Sequence, residues 1–396
     1  MKLKDLLGCG NWATLMQHIV VAGSPDSFGH FGTYICEYDG ISFFVKFAAY
    51  DNLEYDGRKP PPEGCQYPAN AEINVMRAIK TRIIDRGYTP HFIEILAAYN
   101  CDLDTILASR SDSVQPEWVE EQAKFAETKI KAHQICDAKL QDEEQIDPTS
   151  ILCLIRERAV QHVARNHIAL IFSELCSIPL PIFIAKHLPP LPNQQNEVLT
   201  EIIFQIYYTL TVATRVWPGF CHGDLGNLFN IMIKYDEIQS QSDPVDHPVL
   251  RYIIRNRSDS REYVFDVPFR GYFVKIIDFG HSKIPEEGII SAVEQNRPER
   301  ANLFVEDHLE FIAGLQFAIM NDEQNRAKSL FQQNIFAPLN PFNIEHESRA
   351  LRAAELARKS PTLESSLFGP VFEALRAKDK SHGNCIHTYR APKTKI

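Results

Sequence analysis

The stretch Cys221-His222-Gly223-Asp224-Leu225-Gly226-Asn227-Leu228-Phe229-Asn230 runs directly into Ile231-Met232-Ile233-Lys234-Tyr235. A glycine-bearing turn with one carboxylate and two amides thus opens into a strand-like apolar run. A second carboxylate stands 54 residues after Asp224, in Ile276-Ile277-Asp278-Phe279-Gly280, again at the end of a β-rich segment. Upstream lies a third group: Ser27-Phe28-Gly29, Phe31 and then Val45-Lys46. The fold is read outward from these three groups.

Around Lys46 the sequence is β-rich. Thr33–Glu37 and Ile41–Phe47 flank Asp39-Gly40, a hairpin signal. Residues 51–70 contain a Pro triplet and read as loop. From Ala71 to Asp85, Ile73, Met76, Ile79 and Ile83 recur at helical spacing, which puts Glu72 on a helix. Strands are expected over 92–99 and 167–175, separated by a charged helical insertion at about 110–165. The Pro-rich run 187–195 reads as loop, and Glu197 to Arg215 as a central helix apolar on more than one side. A polar loop (236–248) precedes β runs over 249–278. Helices are expected at 303–320 and 348–360, and the last twenty or so residues read as a frayed basic tail. The order is a β-rich front with one helix, then a helical back with a few strands: α+β in two lobes.

Each group alone has an ordinary explanation. Asp-Phe-Gly recurs by chance, His-Gly-Asp-Leu can be a capping turn, Lys46 an edge-strand lysine and Glu72 a solvated helix residue. Their weight comes from order. Phosphoryl transfer from ATP needs a lid over the phosphates and a cation on the α/β-phosphates. It also needs metal ligands and a carboxylate to receive the proton of the attacking hydroxyl. The three groups supply these parts in that sequence.

On these residues the chain resembles the eukaryotic-type protein kinase superfamily, over roughly 19–175 and 195–320. Lys46 follows Gly29 by 17 residues, as the strand lysine follows the last glycine of the Gly-rich loop in that family. The resemblance implies that Glu72 pairs with Lys46, that Asp224 is the catalytic-loop aspartate, and that Asn230 and Asp278 hold metal. It further implies that Ser27, Phe28, Gly29 and Phe31 cover ATP, with Ser173 as gatekeeper and Glu174 and Cys176 at the hinge that meets the adenine. Asp307 resembles the buried aspartate that anchors the catalytic loop. The implied fold is bilobal and protein kinase-like. A β-rich N-lobe over 1–175 would carry the 110–165 insertion. A mainly helical C-lobe over 176–396 would carry an insertion at about 235–270 and the basic tail, with ATP in the cleft between lobes. ATP and Mg2+ (or Mn2+) are the implied cofactors, and a Ser/Thr hydroxyl of a protein the implied acceptor.

The pattern also departs from the family. Ser24 and Asp26 stand where the first two loop glycines would be, with Gly23 out of register, which puts ATP affinity in question. Asn230 lies six residues after Asp224 rather than five, so Asn227 is a possible substitute. Gly223 replaces the usual arginine, so activation by loop phosphorylation is not expected. Gly226 replaces the catalytic-loop lysine, and no Ala-Pro-Glu follows Asp278. These features and the long Asp224–Asp278 span resemble the serine/threonine kinases of large cytoplasmic DNA viruses, the iridovirus-like group in particular, and the haspin branch. That implies a viral protein of the host cytoplasm or virion.

Composition sets the outer bounds. The chain has 396 residues, 44% hydrophobic and 23% charged, with a net charge of −10. The acidic balance argues against a general nucleic-acid binder. No apolar run is long enough to span a membrane. Nine scattered cysteines, none in a C-x-x-C pair, read as free, mostly buried thiols in a reducing compartment. Two other functions compete. One is a small-molecule kinase of the aminoglycoside or choline kinase type, in which His-Gly-Asp is common. The other is a pseudokinase scaffold, for which the two lost glycines speak.

Overall fold

Asp39 and Gly40 both take positive φ (53° and 72°), the pair of left-handed residues that a tight hairpin turn demands. They join strands β2 (Thr33–Tyr38) and β3 (Ile41–Ala49), which pair antiparallel from Tyr38↔Ile41 to Thr33↔Lys46. Period-two alternation then sorts the side chains: Tyr34, Cys36, Phe43 and Val45 are buried, and Lys46 falls out of phase with Phe43 and Val45.

The computed structural model describes residues 7–11, 14–15, 18–22, 33–49, 64–102, 167–236, 248–292, 307–321, 328–339, 362–377 and 385–393. Ser27, Phe28, Gly29 and Phe31, the insertion expected at about 110–165, the loop 237–247 and the helix expected over 348–360 lie outside the described residues. The architecture is mixed α/β, in two compact units. One comprises Met1–Pro62, Tyr67–Ile73 and Ile95–Leu175, and the other Glu63–Gln66, Asn74–Glu94 and Cys176–Ile396. No helix among the described residues is long and apolar enough to cross a membrane.

The first unit is built on a five-stranded antiparallel sheet in the order β1-β2-β3-β5-β4, with β1 at Ile19–Ala22, β4 at Ile95–Asp102 and β5 at His167–Glu174. Helix α1 (Pro68–Ile79) begins three residues before the expected Ala71, because proline's missing N–H costs nothing in a first turn. Beyond Ile79 the helix loosens into a π-type turn, Lys80–Ile84, closed by Asp85 N donating to Lys80 O. Cys9 and Cys101 are joined by a disulfide across 92 residues of sequence, which corrects the expectation of free thiols for this pair. Spacing could not show it, since the partners meet only once Cys101 is placed on β4. Cys36 is a buried thiol, pushed up to about 12 by desolvation.

The second unit is organised by helix α3 (Pro192–Val216), which follows strand β6 (Ile178–Pro179) and helix α2 (Leu180–His187). α3 starts five residues before the expected Glu197, again with proline in its first turn, so the expected loop 187–195 is mostly helical at its end. Its side chains are buried almost all round. Four threonines survive there by donating to carbonyls one turn back, Thr200 to Asn196, Thr209 to Gln205, Thr211 to Tyr207 and Thr214 to Leu210.

Strand β7 (Ile231–Tyr235) pairs with β10 (Tyr272–Ile276) on one side and β6 on the other. The segment between Asp224 and Asp278 also forms a hairpin, β8 (Val249–Arg255) with β9 (Glu262–Pro268). Its inner face packs on α3 through Phe204 against Tyr252 and Phe265, and Phe372 of the 3-10 turn Pro370–Leu375 adds a third ring against Phe204. The expected frayed tail is a strand over its middle: β13 (Cys385–Arg390) lies parallel to β8, and Ala391 N donates to Ile253 O. A basic, polar sequence hides a strand here because its partner supplies the hydrogen bonds. Between β10 and β13 come the short strands β11 (Lys283–Ile284) and β12 (Ile289–Ile290) and helix α4 (Asp307–Asn321).

Candidate active site

Lys46 in the first unit leaves β3 opposite Thr33 and Ile171. Its Nζ lies 3.0 Å from both Oε1 and Oε2 of Glu72 on α1. The Glu72 side chain is 6% exposed and that of Lys46 21%. A carboxylate this dry requires a cationic partner, and a bidentate contact satisfies both oxygens. The pair holds an ammonium at a defined place while leaving part of it open.

In the second unit the stretch 221–230 is held from below by one carboxylate. Asp307, at the start of α4, accepts from His222 N (2.6 Å), Gly223 N (3.0 Å) and Cys221 Sγ (3.5 Å). Gly223 sits at φ +80°, a conformation that favours glycine. The loop backbone also lies directly on α4: a Cβ on Gly314 would come 2.4 Å from Gly226 O. His222 is fully buried, with Nε2 2.9 Å from Ile277 O, and its carbonyl accepts from Ser282 Oγ.

Asn230 is the asparagine that contacts Asp224. Its Nδ2 donates to Asp224 O (2.8 Å) and to Asp224 Oδ2 (2.9 Å), and the side chain is buried. Asn227 is exposed and serves a different purpose: its Oδ1 caps the 3-10 turn Leu228–Asn230 by accepting from Phe229 N. That turn absorbs the extra residue between Asp224 and Asn230.

Asp278 follows β10 and takes φ +64°, a backbone state that non-glycine residues adopt rarely and at a cost of about 1–3 kcal/mol. Its neighbours hold it there. Ile277 N donates to Asn230 O (2.9 Å), and Phe279 is fully buried between His222 and Phe92, with ring centroids 5.1 and 6.0 Å away.

One support has no signal in sequence. His91 is fully buried, its Nδ1 2.9 Å from Val274 O and its Nε2 2.7 Å from Tyr252 Oη. Its backbone O accepts from Ile276 N (2.8 Å). Desolvation pushes its pKa down to about 3, so the ring is neutral. A neutral ring that donates from Nδ1 to a carbonyl accepts at Nε2 from the tyrosine. His91 thus ties β8 to β10, four residues before Asp278. Only the fold reveals it, because 161 residues separate His91 from Tyr252.

The expected site residues fall as follows. Lys46 and Glu72 meet within the first unit, where Ser173 and Glu174 end β5. Asp224, Asn230 and the approach to Asp278 meet within the second, where Cys176 precedes β6. Asp278 and Asn230 offer oxygen donors of the kind Mg2+ takes, and donation of Nδ2 to Asp224 leaves the Asn230 Oδ1 as its oxygen donor.

No protein-family model matches the chain. The chain is 25% identical over 260 residues to the "Putative serine/threonine-protein kinase" of Acanthamoeba polyphaga mimivirus, over 63% of this chain and 56% of the relative. It thus spans little more than half of that relative's length. Among solved structures, "WaaP in complex with acyl carrier protein" aligns over 90% of this chain and 92% of its own, at 11% identity and a TM-score of 0.35. The sequence relationship, with the charged groups and loop geometry described above, supports placing the chain in the protein kinase-like superfamily.

Proposed function

We propose that the chain is an ATP-dependent phosphotransferase, a serine/threonine protein kinase that passes the ATP γ-phosphate to a protein hydroxyl. In this reading residues 1–175 and 176–396 act as its N- and C-lobes. The observation that carries it is the bidentate contact of Lys46 with Glu72, a nearly buried carboxylate spent on orienting an ammonium. Such an ammonium neutralises the α/β-phosphates. Asp224, turned by Asn230, receives the proton of the attacking hydroxyl. Mg2+ held by Asp278 and Asn230 supplies charge neutralisation on the phosphate oxygens when bound. Positioning and electrostatics account for most of the rate in such chemistry.

A second reading, a small-molecule kinase, is favoured by one feature. Gly223 stands at φ +80° where protein kinases of this type carry arginine. Transfer of labelled γ-phosphate separates the readings. The wild type is compared with Asp224→Asn and Asp278→Asn, offered generic protein substrates, the protein itself and a panel of small alcohols including aminoglycosides and choline. Label on Ser or Thr that vanishes in both variants supports the protein kinase. Label confined to a small molecule supports the second reading. No transfer, and no thermal stabilisation by ATP with Mg2+, leaves a pseudokinase.

A further inference from the structure

The segment from Phe279 to Glu306 holds just two hydroxyl side chains, Ser282 and Ser291, and no Thr or Tyr. Both serines are fully buried and committed as donors, Ser282 Oγ to His222 O (2.9 Å) and Ser291 Oγ to Gly280 O (2.6 Å). A phosphate cannot be added to either without breaking that bond and forcing two charges into the interior. Residues 279–292 are nonetheless held by backbone pairing. Strands β11 and β12 pair, and Cys221 and Lys283 exchange both backbone bonds.

Two carboxylates secure the turn between those strands. Glu286 Oε1 accepts from Gly219 N at 2.7 Å, and Glu287 Oε1 accepts from the indole Nε1 of buried Trp217 at 3.0 Å. Arg82, in the π-type turn beyond α1, lies 3.6 Å from Glu287. Gly219 is itself shaped for the contact: a Cβ there would sit 3.0 Å from Pro285 Cδ and 3.2 Å from Glu286 Oε1. Charged acceptors on fixed donors are the means by which a phosphorylated residue orders such a segment. Here the charge is encoded in the chain.

We infer that Glu286 and Glu287 are positioning residues, which hold residues 279–292 after Asp278 in place through Gly219 and Trp217. Activity then needs no phosphate on this segment. The inference rests on the phosphotransferase reading for its effect on rate, but its structural half stands apart from that reading.

The test uses the full chain. Exhaustive phosphatase treatment is expected to leave kcat unchanged. Glu286→Ala with Glu287→Ala is expected to lower kcat about tenfold with KM for ATP within about twofold, the size expected from losing two charge-assisted hydrogen bonds at a partly exposed site. Glu286→Gln with Glu287→Gln retains the oxygen acceptors but not the charge, and is expected to restore only part of the rate. Hydrogen exchange gives a readout independent of catalysis. The amides of Ser282, Lys283, Gly288 and Ser291, all internally bonded, should exchange faster in the alanine variant and in Gly219→Val. Loss of activity on phosphatase treatment overturns the inference, as does unchanged exchange in both variants. A wild type that transfers no phosphate refutes the phosphotransferase reading, and the exchange data then decide the anchoring by themselves.

Discussion

Lys46 and Asp224, the two groups on which the proposed chemistry turns, are held in opposite ways. Lys46 has a strand beneath it, and its Nζ lies 3.0 Å from both carboxylate oxygens of Glu72. Asp224 stands in a loop held at several points: Asp307 grips Cys221, His222 and Gly223, and buried Asn230 grips Asp224 itself. The first arrangement centres on an ion pair whose shape a neutral isostere can keep, so it is sensitive chemically and nearly silent structurally. The second is a network whose removal costs stability as well as rate. The same type of group, a carboxylate, serves as an orienting counter-charge in one place and as a backbone anchor in the other.

The largest expected effect comes from the reacting groups. Asp224→Asn and Asp278→Asn should each lower phosphotransfer at least about 1000-fold, with folding almost unchanged, as loss of transition-state electrostatics does. A residual rate above a few per cent would mean that the loop does not carry the reaction.

Next is the anchor. Asp307→Ala leaves the His222 and Gly223 N–H groups without their acceptor and should cost roughly 2–4 kcal/mol of stability, read by urea denaturation. Asp307→Asn keeps one acceptor oxygen and should lose less. Equal losses in the two would make the contact one of packing rather than hydrogen bonding.

Glu72→Gln sharpens the contrast from the other side. It should lower kcat/KM roughly 10- to 100-fold while the melting temperature stays within a few degrees, since a neutral amide fits the same space without leaving a buried charge. A large loss of stability would show that the Lys46 pair is structural after all.

The smallest effect is the acid response of the network behind Asp278. The His91 pKa is about 3 when folded, against about 6.5 in an unfolded chain, so the unfolded chain takes up the proton first as pH falls. The neutral ring's contribution is complete above about pH 6.5 and declines below it by roughly 1 kcal/mol per pH unit towards pH 3. Denaturation at pH 7.5 and 5.5 reads this directly, and His91→Gln should flatten the difference. An unchanged pH dependence in that variant would place the titration elsewhere.

Local grammar explains what was legible beforehand. The Asp39-Gly40 hairpin, the strand that carries Lys46, the helix that carries Glu72 and the strand after Asn230 all follow from periodicity and turn residues. Two helices start three and five residues ahead of the periodic pattern because Pro68 and Pro192 open helices as readily as they close them. The tail strand β13 leaves no sequence signal because a polar edge strand has no pattern of its own.

The amino-acid sequence by itself determined the parts and their order: a lysine on a strand, a glutamate on a helix, then two aspartates and an asparagine on turns after and before strands. These depend on interactions a few residues long. Only the tertiary structure decided which parts meet. It chose Asn230 over Asn227 as the partner of Asp224, joined Cys9 to Cys101, buried His91 between Val274 and Tyr252, and seated Glu286 on Gly219. Each of these contacts except the first closes a loop of tens to hundreds of residues. Its partners are selected by the packing of whole elements, which leaves no mark at any local spacing.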